Sequence, residues 1–327
     1  MNIRARRSIH ETAQAVLQRS GNAKKIVFFY AAVCCGLSLA GTLVSAFLGR
    51  QIAGTGGLGN IGLRSVLSTG QSVLPVISLI VTTCLGLGYH TAMLCFVRGF
   101  DADHRTLTDG FRYFGAIFRT MLLQGIVYFI SGMGAMYLSS FIFMMTPLAQ
   151  PFMEVMEPVL SSVTVMDDVL ALDEATMMAA MEAMIPMMWI LLAVCLAVMV
   201  PLYYRFRMVT FALADDPAKG AVHALLKSRT LMHRNRFALF RLDLTLWWYY
   251  LTQLLISLVC YGDVLLSMAG IPLPLGANGS YYLFYGLSLA MQLALYCFGM
   301  NRVFAVYAVA YDALQEQVAQ SNLPTQM

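Results

Sequence analysis

Long runs of apolar residues, separated by polar stretches, recur along the chain. A helix needs about 20 mostly apolar residues to cross the hydrocarbon core of a bilayer, because that core is about 30 Å thick and a helix rises about 1.5 Å per residue. Six runs reach this length: Ile26–Leu48, Val73–Val97, Thr120–Phe143, Ile185–Tyr204, Leu244–Val264 and Tyr281–Met300. No ten-residue alternating pattern indicates a barrel, so the chain is predicted to be an all-α polytopic membrane protein with six transmembrane helices.

The composition agrees with this class. The mean hydropathy is +0.69 and only 12% of the residues are charged, which is typical of a chain embedded in a bilayer. The seven cysteines lie inside apolar runs, so no disulfide framework is predicted. The first apolar run is too long for the core of a signal peptide, and we interpret it as a retained first membrane helix.

Lysine and arginine are distributed unevenly between the segments that flank these runs. Alternate segments hold 19 of the 21 basic residues, and the positive-inside rule therefore predicts that both termini are cytoplasmic. The predicted organisation is a cytoplasmic amphipathic segment (residues 1–25), a six-helix membrane domain (26–310) with an outer loop (144–184) and a basic cytoplasmic connection (205–243), and a cytoplasmic tail (311–327).

The basic connection holds eight of the 21 lysines and arginines. An aspartate at 215 or 216, followed by Pro217, predicts the start of a helix there. Its basic face comprises Lys219, His223, Lys227 and Arg234. Two interpretations are open: a solvated face over a helix that packs on the bundle, or a surface that contacts anionic lipid head groups of the inner leaflet or a protein partner. The N-terminal segment carries a weaker apolar stripe and is predicted to lie along the same membrane surface.

One acidic residue, Asp243, stands in the apolar sequence FRLDLTL at the predicted mouth of helix five. An unpaired carboxylate is costly at this depth. We therefore predict a charge-assisted hydrogen bond to Arg205 or Arg207, with Arg119 as the next candidate. The alternative is an aspartate that faces head-group water.

Polar residues at the predicted middle of the membrane are few. Gln253 and Gln292 fall near the centres of helices five and six, and a buried amide in lipid needs a partner. They are interpreted either as hydrogen-bonding contacts between helices or as part of a transport pathway. Ion-coupled carriers usually need a charged residue at this depth, and the sequence places none there, which favours the contact between helices.

Candidate catalytic and metal-binding patterns are sparse. The chain has no HExxH or GxSxG motif and no paired aspartates within the spans, so no enzyme activity, cofactor or nucleic-acid partner is predicted. Eleven of the 23 methionines lie between Met144 and Met188. Met177, Met181, Met184 and Met188 recur at helical spacing, which suits either Cu(I) capture by thioethers or a flexible, lipid-facing apolar helix.

The segment LADDPAKGAVHALLKSRTLMHRNRFALFRLDLTLWW, together with SGN at 20–22, FVRGFDADHRTLTDGF at 96–111 and YYLFYGL at 281–287, resembles a family of uncharacterised bacterial membrane proteins, the domain of unknown function 975. The resemblance implies a polytopic fold in the bacterial cytoplasmic membrane and no assigned activity. The chain departs from the family pattern at 222–223 and 233–234.

Taken together, these patterns predict a non-enzymatic integral membrane protein that acts as a membrane scaffold or accessory subunit. Its expected contacts are anionic lipids of the inner leaflet and either a membrane-protein partner or a second copy of itself. The alternative is a transporter or permease component for a small solute.

Overall fold

The computed structural model describes residues 3–54, 61–155, 174–268 and 276–321, and within these residues all regular structure is helical. The α-helices are α1 (Ile3–Arg19), α2 (Ala23–Gly54), α3 (Ile61–Val97), α4 (His104–Arg112), α5 (Phe114–Met144), α6 (Glu174–Phe206), α7 (Val209–Asp215), α8 (Gly220–Met232), α9 (Arg236–Asp243), α10 (Trp247–Cys260), α11 (Gly262–Met268), α12 (Gly276–Leu295) and α13 (Asn301–Ser321). Short 3₁₀ turns at Pro217–Lys219 and Leu244–Leu246 and a π-helical turn at Tyr296–Met300 join neighbouring helices.

Six helical stretches among the described residues are long and apolar enough to cross a membrane. They are Ala23–Leu48, Ser72–Val97, Phe114–Met144, Glu182–Asp215, Arg236–Cys260 and Gly279–Gln320. Each overlaps one of the six predicted runs. The all-helical class and the number of candidate spans are confirmed, and the chain is treated below as a multi-pass membrane protein.

The fifth span begins earlier than predicted. Helix α9 starts at Arg236, and the predicted start at Leu244 lies in the 3₁₀ turn between α9 and α10. A prediction from hydropathy alone leaves the charged segment RFALFRLD out of the span, although these residues can still be helical. Arg234, with φ 69°, lies two residues before the helix and marks the true boundary.

The sixth helical stretch continues beyond its predicted end at Met300. Through the π-helical turn it runs into α13, which ends at Ser321. Residues 311–321, predicted as part of a cytoplasmic tail, are therefore helical. Tyr311 and Leu314 in this part are buried, because α13 packs against other helices of the chain.

The chain divides into two compact units, one formed by residues 1–120 and 208–327 and the other by residues 121–207. In the first unit α1 packs along α13, with Ile9 and Ala13 buried. The apolar stripe of the N-terminal segment therefore contacts protein. In the second unit, Phe143 and Phe152 form an edge-to-face pair with centroids 5.3 Å apart.

Helices α3 and α4 of the first unit approach each other closely through their backbones. A Cβ at Gly88 would overlap the backbone of Leu107, and a Cβ at Gly110 would overlap the carbonyl group of Cys84. Glycine at both positions therefore lets the two helices touch through their backbones. This contact holds α4 against the end of α3 where Arg98 follows.

Candidate functional site

An ionic cluster joins four elements at the predicted cytoplasmic side of the first unit. At its centre is Asp215, the last residue of α7, whose side chain is 14% exposed. Its Oδ1 lies 2.6 Å from Nη1 of Arg98, and its Oδ2 lies 2.6 Å from Nζ of Lys227. The Tyr311 hydroxyl and Nε2 of Gln315 donate to the same Oδ2 at 3.1 and 2.9 Å. These four donors replace the hydration that the carboxylate loses on burial.

Arg98 extends the cluster to a second carboxylate. Its Nη2 and Nε donate to the two oxygens of Asp312 at 2.9 and 3.3 Å, a bidentate arrangement. The hydrogen bonds that Arg98 donates to Asp312 raise the pKa of Arg98 above its usual range; burial acts in the opposite direction, and Asp215 adds to the increase. The two cations and two carboxylates balance in charge. The cluster therefore joins the end of α3 to α13. Its carboxylate oxygens are occupied by hydrogen-bond donors, so they are poorly placed to accept a proton.

The predicted helix start at Asp215 and Asp216 differs in the structure. Asp216 makes no side-chain capping hydrogen bond, and a 3₁₀ turn precedes α8. The predicted aspartate cap is therefore wrong, although Pro217 does occupy the first position of the turn. The carboxylate of Asp215 is used for ion pairs, which compensate its burial more fully than free backbone N–H groups would.

The four basic residues predicted as one lipid-binding face do not share one continuous helical surface. Lys227 is held by Asp215 inside the ionic cluster, and Lys219 lies in the 3₁₀ turn, 2.6 Å from Asp216, which raises the pKa of Lys219. His223 is half-buried on α8, whereas Arg234 follows the end of that helix. The four residues would form one face only on a single uninterrupted helix, and α8, which spans Gly220–Met232, includes neither Lys219 nor Arg234. Lipid or partner contact by these residues stays a prediction.

A different surface has the character of a membrane interface. Along α9 and the start of α10, Phe237, Leu244 and Trp247 are 61%, 56% and 61% exposed, and their spacing places them on one stripe of the helix. Arg241 belongs to the same stripe and stacks on the Phe237 ring at 4.5 Å. The opposite stripe is buried and comprises Leu239, Leu242, Asp243 and Leu246. In the sequence, this surface is indicated by apolar residues and an arginine that recur every three or four positions, at Phe237, Arg241, Leu244 and Trp247.

Asp243 is 8% exposed, so the alternative in which it faces head-group water does not describe its position. Its Oδ1 accepts a hydrogen bond of 2.6 Å from the Tyr307 hydroxyl, which is also hydrogen-bonded to the Tyr250 hydroxyl. Sequence reasoning missed Tyr307, because it lies 64 positions from Asp243 along the chain. Pairing of Asp243 with Arg205, Arg207 or Arg119 stays a prediction.

The two glutamines near the predicted centre of the membrane bond to each other. Nε2 of Gln253 donates to Oε1 of Gln292 at 3.1 Å, and the reciprocal contact measures 3.4 Å. Each amide thus satisfies the other across α10 and α12, as expected of polar groups that connect helices in an apolar environment.

Candidate metal ligands can be compared only among the described side chains. Within the described ranges, no three His, Cys, Asp or Glu side chains are grouped to hold a metal. Met184 and Met188 are exposed on α6. The side chains of Met177 and Met181 lie outside the described part of the structure, so copper binding by these methionines stays a hypothesis.

Comparison with known families gives one match. Residues 4–285 match the model of a family described as protein of unknown function, DUF975. The chain belongs to the DUF975 family. No curated protein and no solved structure gives a significant match to the chain. The predicted family membership is therefore confirmed.

In this DUF975 member, the segments that carry the resemblance supply structural contacts. Arg98 and Asp215 pair in the ionic cluster, and Gly110 forms the close crossing of α3 and α4. Asp103 begins α4, where its carboxylate accepts the backbone N–H of His104 at 2.8 Å. These contacts stabilise the fold. A function must therefore be inferred from the exposed surfaces.

Proposed function

We propose that this protein is a non-enzymatic membrane scaffold or accessory subunit that engages the anionic inner leaflet through its cytoplasmic helices. The observation that carries the proposal is the exposed stripe of α9 and α10, where Arg241 lies among three large apolar side chains. Apolar groups suit the acyl region, aromatic rings suit the head-group level, and arginine is attracted to anionic head groups.

The internal contacts support a scaffold. The buried charges that we describe at the ionic cluster are compensated within the protein, and Gln253 and Gln292 satisfy each other. These groups stabilise helix packing. The stripe of α9 and α10 is one exposed surface of the first unit whose side chains suit contact with lipid.

Fluorescence quenching by brominated lipids tests this proposal. A variant that retains only Trp247, with Trp189→Phe and Trp248→Phe, is reconstituted in bilayers with equal fractions of brominated phosphatidylglycerol or brominated phosphatidylcholine. We expect stronger quenching by the anionic lipid, and loss of that difference in Arg236→Gln/Arg241→Gln. The matched control retains only Trp189, an exposed residue of α6 at the predicted outer side, and should show no preference. Equal quenching of Trp247 by both lipids would contradict the proposal.

One feature favours a component of a small-solute permease as a second candidate. A cavity of about 640 Å³ lies between α2, α3 and α12, and polar side chains that include Ser38, Thr42, Ser78 and Tyr285 line it. A cysteine at Ser38 should react with a small polar thiol reagent if water fills this cavity. The comparison is a cysteine at Phe29, an exposed position on the same helix; equal, slow reaction at both positions would exclude this use of the cavity.

A further inference from the structure

We propose that a groove between the start of α2 and the start of α13 binds one anionic phospholipid, with the phosphodiester between Lys24 and Arg302 and an acyl chain along Phe298. This inference rests on the proposed function and deepens it, because it assigns a defined lipid site to a surface separate from the α9 stripe.

The groove has the size and the charge that such a ligand requires. Its volume is about 440 Å³, within the range of about 300–1,000 Å³ that is usual for small-molecule sites. Lys24 comes from one helix and Arg302 from another, and both are exposed. Of the described residues that line the groove, these two are cations and none is acidic. Two cations that converge from separate elements suit a single phosphate group.

The floor of the groove is held in place by buried hydrogen bonds. Nδ2 of Asn301 donates to the backbone carbonyl of Ala23 at 3.2 Å, which ties the first turn of α13 to the first residue of α2. The Tyr89 hydroxyl donates to Oδ1 of the same asparagine at 2.7 Å. Both ends of the Asn301 amide therefore hold the backbone in place, and the two neighbouring cations are presented by a preorganised backbone.

The wall of the groove is apolar on the side of the predicted membrane span. Val27 and Phe28 line it from α2, and Cys297 and Phe298 line it from the π-helical turn Tyr296–Met300. Phe298 is 88% exposed. Single π-helical turns within α-helices are frequent at functional sites, and here the turn places an aromatic side chain beside the groove.

These features together favour a membrane lipid over a free anion. A free phosphate would use the cations and gain nothing from the apolar wall, whereas a phospholipid would use both. The groove also opens at the start of the candidate span Ala23–Leu48. At this position a head group and an acyl chain would be available together.

Native mass spectrometry of the full-length protein tests the site. The protein is titrated with dioleoyl phosphatidylglycerol and, separately, with dioleoyl phosphatidylcholine. We expect one preferred adduct with phosphatidylglycerol, weakened about fivefold by Lys24→Gln and again by Arg302→Gln. Lys25→Gln is the matched control, because Lys25 is an exposed neighbour that does not line the groove, and it should leave the first adduct unchanged. Phe298→Ala should weaken both lipids, whereas Phe29→Ala should weaken neither.

Three outcomes would overturn the site. If Lys25→Gln weakens the adduct as much as Lys24→Gln, the attraction is diffuse. If inorganic phosphate alone displaces the lipid and Phe298→Ala has no effect, the groove binds a free anion. If the wild-type protein binds both lipids equally, the site is absent. The quenching of Trp247 is measured separately. If lipid binding in the groove is absent while Trp247 still prefers the anionic lipid, this inference is rejected and the proposed function stands.

Discussion

Single charged side chains in this protein depend on partners that are distant along the chain. Asp215 accepts hydrogen bonds from Lys227, Tyr311 and Gln315, and the last of these is 100 positions away. Asp243 likewise depends on Tyr307. Because a buried carboxylate is stable only when its oxygens are satisfied, these positions should tolerate substitution poorly.

Asp215→Asn is expected to lower the free energy of unfolding by about 2 to 4 kcal/mol, because it leaves two cations without their shared carboxylate. Thermal unfolding of the purified protein in detergent measures the effect. Asp216→Asn is the matched control: it removes only the exposed contact with Lys219 and should leave the unfolding temperature unchanged. Equal behaviour of the two variants would contradict the structural role of the cluster.

His10 predicts a dependence of stability on pH. Its Nε2 is 2.8 Å from the Thr245 hydroxyl, which itself donates to the carbonyl of Leu242 at 2.6 Å, so the neutral ring donates through Nε2. Burial and the positive charge of Arg302 lower the pKa of His10 below the usual value of about 6.5. The unfolded chain therefore binds the proton more readily, and stability falls as pH drops through about 6.5 and levels off below the folded-state pKa.

Unfolding temperatures at pH 7.5 and 5.5 test this dependence. The decrease should be smaller in His10→Gln, which keeps a donor toward Thr245 and cannot gain a proton. The chain has four other histidines, so the quantity to compare is the difference between the two proteins. An identical decrease in both would show that His10 protonates without cost.

At the scale of helices, packing is governed by a few close approaches. The crossing of α3 and α4 requires glycine at Gly88 and Gly110, since either Cβ would meet backbone atoms of the partner helix. Backbone cannot move aside as a flexible side chain can. The crossing in turn positions the loop that carries Arg98 toward α13.

Gly110→Ala and Gly88→Ala are each expected to destabilise the protein by about 2 kcal/mol or more, because the helices must separate. Gly86→Ala provides the control two positions away in α3, since a Cβ there would meet only the Tyr30 hydroxyl at 3.8 Å. That change should be neutral or stabilising, because alanine favours the helix. Thermal unfolding measures all three, and a tolerated Gly110→Ala would disprove the backbone contact.

For the whole molecule, the distribution of charge predicts its orientation. Alternate flanking segments carry 19 of the 21 basic residues, and the exposed stripe of α9 gives the basic side a surface suited to anionic lipid. Both features predict that residues 205–243 face the cytoplasm.

Labelling of single cysteines in a background without the seven native cysteines tests the orientation. A cysteine at Met145, an exposed residue, should react with an impermeant thiol reagent in intact cells. A cysteine at Lys219, also exposed, should react only after permeabilisation. The reversed pattern would overturn the predicted topology.

The sequence by itself determined the fold class and the six candidate spans, because both depend on local composition and periodicity, and its motifs carried the family resemblance. It also located Asp243 and the two central glutamines as polar groups that need partners. Only the tertiary structure decided which partners they have: Tyr307 for Asp243, and Gln292 for Gln253.

The tertiary structure also separated Lys227 from the exposed basic residues and revealed the groove between Lys24 and Arg302. Periodicity along one helix indicates which side is polar, but it does not state whether that side meets solvent, lipid or a carboxylate from another helix. That choice depends on how helices far apart in the chain pack together, since burial makes an ion pair necessary and packing determines which residues are within reach to form it.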